Sequence, residues 1–192
     1  MAIKTFTTGE VLTAADTNTY LNNGGLVYVT SGTQSGTTAL NVDGCFTSTY
    51  QNYRIILNAI QVSTAARALR LQFRAGGVTN ANMFYDYAYN GYRANGTTNN
   101  TGLAAQSFAE IGTYIDTFAN ATLGACTIDV LNPQVTDRTM SLVIAQGYEG
   151  AYAYRSGGFV QGEAVSFDGF RITLSGTGNV GFNYTVYGYR KA

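Results

Sequence analysis

Apolar side chains recur at every second position through much of this chain, and few folds accept that rhythm. Leu69, Leu71 and Phe73 share one face of an extended segment, while Arg70, Gln72 and Arg74 share the other. Cys126, Ile128 and Val130 alternate with Thr127 and Asp129, and Met140, Leu142 and Ile144 alternate with Ser141, Val143 and Ala145. Phe170, Ile172 and Leu174 alternate with Arg171 and Thr173, and Val180, Phe182, Tyr184 and Val186 with Gly181, Asn183, Thr185 and Tyr187. A period of two puts neighbouring side chains on opposite faces of a strand, one of them against a core. Turn signals punctuate the runs: Asp43-Gly44, Gly76-Gly77, Asn95-Gly96, Asn132-Pro133, Gly157-Gly158 and Ser175-Gly176-Thr177-Gly178. Roughly ten short strands without a long helix between them predict an all-β fold. The expected architecture is an antiparallel jelly-roll-like β-sandwich of about eight to ten strands, which limits exposed edges. No repeat of fixed period is present, which speaks against propellers and β-helices.

One segment breaks the simple alternation. In Tyr53 to Val62, Ile55 and Leu57 fall on one face while Ile56, Ile60 and Val62 fall on the other. Such a strand is covered on both sides, the outer cover being another subunit, or it carries a bulge that shifts its phase.

Residues 1–25 read differently from residues 26–192, which form the sandwich. Thr13-Ala14-Ala15-Asp16 is a helix start, with Thr13 able to cap the Asp16 amide. Ala14 to Asn22 contains no Gly or Pro, and Gly24-Gly25 ends it. A helix of about nine residues is too short to stand alone in water, so this N-terminal helical arm needs a dock. Its apolar residues are few, Leu12, Ala14, Tyr20 and Leu21 among them.

Composition removes whole classes of function. The chain of 192 residues has 11 Lys+Arg against 11 Asp+Glu, a net charge of zero. No basic excess is available to displace counterions from a phosphate backbone, so no nucleic acid is expected. There is no His, which excludes a Ser-His-Asp triad, a His-ligated zinc and a His general base. No apolar run approaches the ~20 residues of a membrane helix, and Met1 to Thr8 has no apolar segment of the secretory type. No membrane partner is therefore expected. Charged residues make up 11%, and a surface with so little charge is poorly protected from self-association. Part of it is expected to be covered by neighbouring molecules; a Thr/Asn-rich neutral surface is the simpler alternative.

Cys45 and Cys126 have no CxxC spacing and imply neither a metal nor a disulfide framework. They read as buried, reduced thiols. The sequons at Asn95, Asn99, Asn120 and Asn183 read as chance in a chain rich in Asn and Thr.

Four stretches are candidates for function. Tyr85, Tyr87 and Tyr89 project from one face of a strand. They suit a subunit interface or sugar stacking, or they are simply core. Tyr148 to Gly158 is a Tyr/Gly stretch carrying Tyr152 and Tyr154, read as an adaptable contact loop or as an ordinary hairpin. Arg93 to Gln106 is polar and rich in Gly, Asn and Thr, and reads as a long exposed tip. The acids Asp86, Glu110, Asp116, Glu149, Glu163 and Asp168 are scattered. A glycosidase needs two carboxylates at a set separation in a cleft, and nothing here pairs them. Neither a calcium-loop run nor a G-x-S-x-G motif occurs. No enzyme activity, cofactor or metal is expected.

Three segments resemble a known group. Phe6 to Asn18 follows a Phe-x-x-Gly-Glu-Val-Leu-Thr-Ala-x-Asp-x-Asn pattern, within residues 5–29. This stretch is similar to the N-terminus shared by many tailed-bacteriophage virion structural proteins of the tail, fibre or head-decoration type. Residues 168–190, ending in Val186-Tyr187-Gly188, resemble their closing hairpin, and Tyr50 to Phe73 resembles their Tyr-x-Asn-Tyr-x-Ile strand pair. The resemblance implies a non-enzymatic virion component, assembled in the host cytoplasm and oligomeric, with a trimer favoured by jelly-roll analogy. In that reading the arm attaches the subunit to other virion proteins of tail or capsid through Phe6, Val11, Leu12, Tyr20 and Leu21. Copies of the chain associate through Ile56, Ile60, Val62, Tyr85, Tyr87 and Tyr89. The alternative is a carbohydrate-binding module that recognises a host surface glycan, with Tyr152 and Tyr154 as sugar contacts.

Overall fold

A computed structural model describes residues 7–11, 13, 25–63, 67–112, 124–148 and 151–189. Among the described residues there are thirteen strands and no helix: β1 (Leu26–Thr37), β2 (Ala39–Val42), β3 (Asn52–Val62), β4 (Leu69–Ala75), β5 (Val78–Thr79), β6 (Tyr85–Arg93), β7 (Thr101–Gln106), β8 (Ala109–Glu110), β9 (Gly124–Leu131), β10 (Thr139–Tyr148), β11 (Tyr152–Gln161), β12 (Gly169–Leu174) and β13 (Val180–Tyr189). Every pairing between them is antiparallel. The all-β, antiparallel expectation therefore holds. The expected helix over residues 14–22 lies outside the described residues, as do Phe6, Leu12, Tyr20 and Leu21. Val11 is described and exposed, next to a turn closed by the Glu10 amide donating to the Thr7 carbonyl.

Eight strands form one sheet in the order β1-β13-β3-β9-β10-β11-β6-β7; β2-β12-β4-β5, with β8 paired to β4, form a second. The chain passes back and forth between the sheets along β1 to β4 and again along β11 to β13. Residues 168–190 are consequently not a hairpin. β12 pairs with β2 and β4, β13 pairs with β1 and β3, and Ser175 to Asn179 carry the chain from one sheet to the other. The long-tip reading of Arg93 to Gln106 is also corrected. Thr101–Gln106 pair with β6 as the edge strand of the large sheet, leaving only residues 94–100 as the turn.

The alternating residues of both sheets meet in one core, which explains why each strand needs only one apolar face. Phe73 of β4 sits at its aromatic centre, with ring centroids 5.1 Å from Phe167, 5.8 Å from Phe159 and 6.3 Å from both Phe46 and Tyr85. Tyr85 of β6, in the large sheet, is hydrogen-bonded to β4 of the small one. Its hydroxyl accepts from the Phe73 amide at 2.8 Å and donates to the Asn80 carbonyl at 3.2 Å.

These facts correct most of the expected subunit interface. β3 carries a bulge at Asn58 and Ala59: Leu57 pairs with Cys126, but Ile60 pairs with Gly124. Ala59 takes a φ of 51° to make room. The extra residue shifts the phase, so Ile55, Leu57, Ile60 and Val62 all point into the core. Ile60 and Val62 thus offer no outer surface, and Ile56 alone of that set faces outward, half-buried. Tyr85, Tyr87 and Tyr89 are buried on the inner face of β6. Their rings are filling for the core, one of the three readings of that stripe.

Cys45 and Cys126 are buried and unpaired. Burial pushes both thiols up to about 12. At pH 9, where an ordinary thiol is half ionised, the folded protein should react with neither a disulfide reagent nor an alkylating agent. Both thiols should react after unfolding in urea. Because the raised values stabilise the fold only while unfolded thiols stay protonated, that contribution is complete below pH 9 and fades as pH rises towards 12.

Candidate functional site

What remains outward is the far face of the eight-stranded sheet, and its composition follows from register. Directly paired residues of an antiparallel sheet share a face. Ser141 pairs with Val130 on one side and Phe159 on the other, and Phe159 pairs with Tyr87. The rings of Phe159 and Tyr87 point into the core, so Ser141 must point inward with them. The next row, Asp129-Leu142-Gly158-Ala88, therefore points out. β10 buries Thr139, Ser141, Val143 and Ala145 and leaves Met140, Leu142 and Ile144 50%, 61% and 55% exposed. The larger apolar set of this strand faces away from the core.

This ridge borders a depression of about 400 Å³ on its β11–β6 side, floored by Gly158 and Ala88 and lined across from the ridge by Leu103. Gly158 could not carry a side chain without rearrangement, because an added Cβ would stand 2.5 Å from the Ser141 carbonyl oxygen. Further along the same face, Tyr154 lies opposite Tyr92 on β6. Tyr152 packs edge-on against Tyr148, with centroids 5.5 Å apart. Tyr92, Tyr152 and Tyr154 are exposed around a second depression of about 460 Å³ that Arg93 and Gln146 also line. The two predicted sugar contacts, Tyr152 and Tyr154, are thus brought together at the surface, in a hairpin rather than a free loop.

On the other side of the ridge, Arg54 grips Asp129 with two bonds of 2.7 Å, and the Tyr189 hydroxyl donates to the same carboxylate at 2.7 Å. Partial burial works against the Asp129 carboxylate, but the bonds from Arg54 and Tyr189 outweigh it and hold its pKa below the usual range. Partial burial and the Asp129 contact raise the Tyr189 phenol to about 12. The pair is self-neutralised, so the face carries no net charge there.

Four of the six acids singled out in the sequence take a structural bond. Asp86 accepts the Ala105 amide at 2.7 Å, Glu110 pairs with buried Arg155 at 2.9 Å, and Asp168 accepts the Gly76 amide at 3.1 Å. Glu163 accepts from the side-chain amides of Asn80 and Asn82, which depress its pKa. Asp116 and Glu149 lie outside the described residues. Among the described residues no three His, Cys, Asp or Glu side chains gather as a metal site would require, and no helix is long and apolar enough to cross a membrane.

Sequence reasoning missed Tyr92 and the Met140-Leu142-Ile144 ridge. A usable signal existed for the ridge: the polar Thr139 and Ser141 interleave with it, yet only strand register says which set faces in. A polar groove of about 440 Å³ among β1, β3 and β13 was also missed. It forms where bulges in β1 and β3 fall on either side of β13, and Gln34, Gln61, Asn179 and Asn183 line it. The chain matches no protein-family model and no curated protein sequence.

Proposed function

We propose that this chain is a non-enzymatic structural subunit of a bacteriophage virion, a fibre or decoration protein that works as a homo-oligomer. The observation that carries the subunit reading is the outward ridge Met140-Leu142-Ile144 in the interior of a wide sheet. Large apolar side chains there lower solubility unless another surface covers them. The phage assignment draws its support from the Phe6 to Asn18 motif and the Val186-Tyr187-Gly188 ending. The domain is read as a jelly-roll-like sandwich, with residues 1–25 as the arm that attaches it to tail or capsid. The test is immunogold labelling of intact particles with an antibody to the purified chain. Label at a fixed place on the particle is the expected result; intact particles that carry no label would end the proposal.

The second reading, a host-glycan contact, is favoured by the exposed Tyr92, Tyr152 and Tyr154 around one depression. Tyrosine rings present flat apolar faces with a hydrogen-bonding tip, which suits sugar rings. The triple Ala variant of these tyrosines is expected to fold normally and to lower particle adsorption to host cells at least about tenfold, the equivalent of ~1.4 kcal/mol. Unchanged adsorption removes the glycan reading and leaves the structural one standing.

A further inference from the structure

We infer that two copies of this chain pack face to face through the outer side of the large sheet, each inserting its Leu142 ridge into the other's Gly158–Ala88 trough. The inference rests on the subunit reading and names its partner as a second copy of this chain. The shape of the face selects that partner. The ridge of Met140, Leu142 and Ile144 lies on β10, and the trough begins on the next strand, β11, continuing across β6. A two-fold axis parallel to the strands, lying midway between the two stacked large sheets over the β10–β11 boundary, sets each ridge over the opposite trough. Such an isologous contact uses one patch twice and closes after two copies. Sheets stacked this way lie about 10 Å apart with interleaved side chains.

Charge and area agree with a second copy. The net charge is zero, so copies do not repel one another. Asp129 beside the ridge is already neutralised by Arg54, and Asp86 at the trough, held by the Ala105 amide, is the one charge there that keeps its full sign. Met140, Leu142, Ile144, Phe84 and Leu103 are all about half exposed. At roughly 100 Å² each they supply about 500 Å² per partner, hence ~1,000 Å² in all, the level at which a specific contact becomes sustainable. The inverted phase of β10 has the same reason. A strand that hides Ser141 and shows Leu142 is favoured when its outer face is a second interior. The jelly-roll analogy favours three copies; a ridge beside its own trough favours two.

Sedimentation equilibrium of the full chain, compared with Leu142→Asp and Ala88→Arg, decides the matter. One variant spoils the ridge and the other fills the trough, and both side chains point out of the fold. The wild type is expected to sediment as a dimer. Each variant should dissociate about 1,000-fold more readily, because every substitution enters a two-fold contact twice. The circular dichroism and urea midpoint of the variants at low concentration should match those of the wild-type monomer. A wild type that stays monomeric at all concentrations overturns the inference, including the case in which Leu142→Asp lowers the monomer's own stability because residues 1–24 cover the ridge. A trimer, or any oligomer that survives both variants, overturns it too. Particle labelling separates this from the reading it rests on. A monomeric chain that still labels virions rejects the two-fold contact alone, and a variant-sensitive dimer absent from virions rejects the virion reading alone.

Discussion

Replacing Glu110 by alanine is expected to lower the unfolding free energy by about 3 kcal/mol, near the lower end of the ~3–5 kcal/mol seen when one partner of a buried ion pair is removed. Arg155 projects from the inner face of β11 into the core and is 1% exposed. Its guanidinium donates to the Glu110 carboxylate at 2.9 Å, to the Gly112 carbonyl at 3.0 Å and to the Asn99 side chain at 3.1 Å, and it lies 5.6 Å from the centre of the Tyr89 ring. An arginine cannot shed its proton to escape burial. With Glu110 gone, a full positive charge stays in the core with only neutral acceptors and a ring face around it. Those contacts keep the loss near 3 kcal/mol rather than 5. Glu110→Gln keeps an acceptor in place and should cost about half as much. The double variant Arg155→Met, Glu110→Met removes both charges and should fall within about 1 kcal/mol of the wild type. Urea titrations of these proteins, with the single variants Arg155→Met and Glu110→Met added to complete the double-mutant cycle, measure each loss. A Glu110→Ala loss below about 1 kcal/mol would show that water reaches the pair and that the core is open at this end.

The ion pair marks the boundary of what the amino-acid sequence discloses. Alternation identified β4, β9, β10, β12 and β13, because a half-buried strand needs one apolar face and these strands meet that need with local residues. Alternation could not pair Arg155 with Glu110. The two are far apart in the chain, and they meet only because β8 pairs with β4 and lies under the large sheet. It also could not say which face of β10 is inner. Methionine, leucine and isoleucine look more like core than serine and alanine do, yet Phe159 and Tyr87 already fill that row, and a small Ser141 fits between them and Val130. The Tyr85, Tyr87 and Tyr89 stripe looked like a contact surface because tyrosine suits surfaces as well as interiors. Buried partners for its polar tip, such as the Phe73 amide that meets Tyr85, come from other strands and leave no local trace. Tyr152 and Tyr154 were easier, since both stand beside a hairpin tip where a strand runs into solvent.

Phe73→Ala is expected to cost about 4–5 kcal/mol, the upper part of the range for deleting a buried aromatic ring. Phe73 is fully buried, and the four rings around it come from four separate stretches of chain: Phe46 after β2, Tyr85 on β6, Phe159 on β11 and Phe167 before β12. None can move into the space without leaving its own strand or segment, so the hole stays largely open and the neighbours lose contacts on that side. Phe73→Leu fills most of the volume and should cost about 2 kcal/mol. An open, apolar cavity of this kind stays dry and takes up small apolar guests. Benzene or xenon should therefore raise the melting temperature of Phe73→Ala and leave that of the wild type unchanged. The defect should also reach the outer face. Phe159 points inward between Gly158 and Val160 on β11, so loosening its ring loosens the trough that it backs. Dimer dissociation measured on Phe73→Ala at low temperature, where it is still folded, should rise by a smaller factor than for Leu142→Asp, and benzene should reverse it. A loss of stability under about 2 kcal/mol, with no response to benzene, would mean that the surrounding rings collapse into the gap and that the two sheets are not held apart by Phe73.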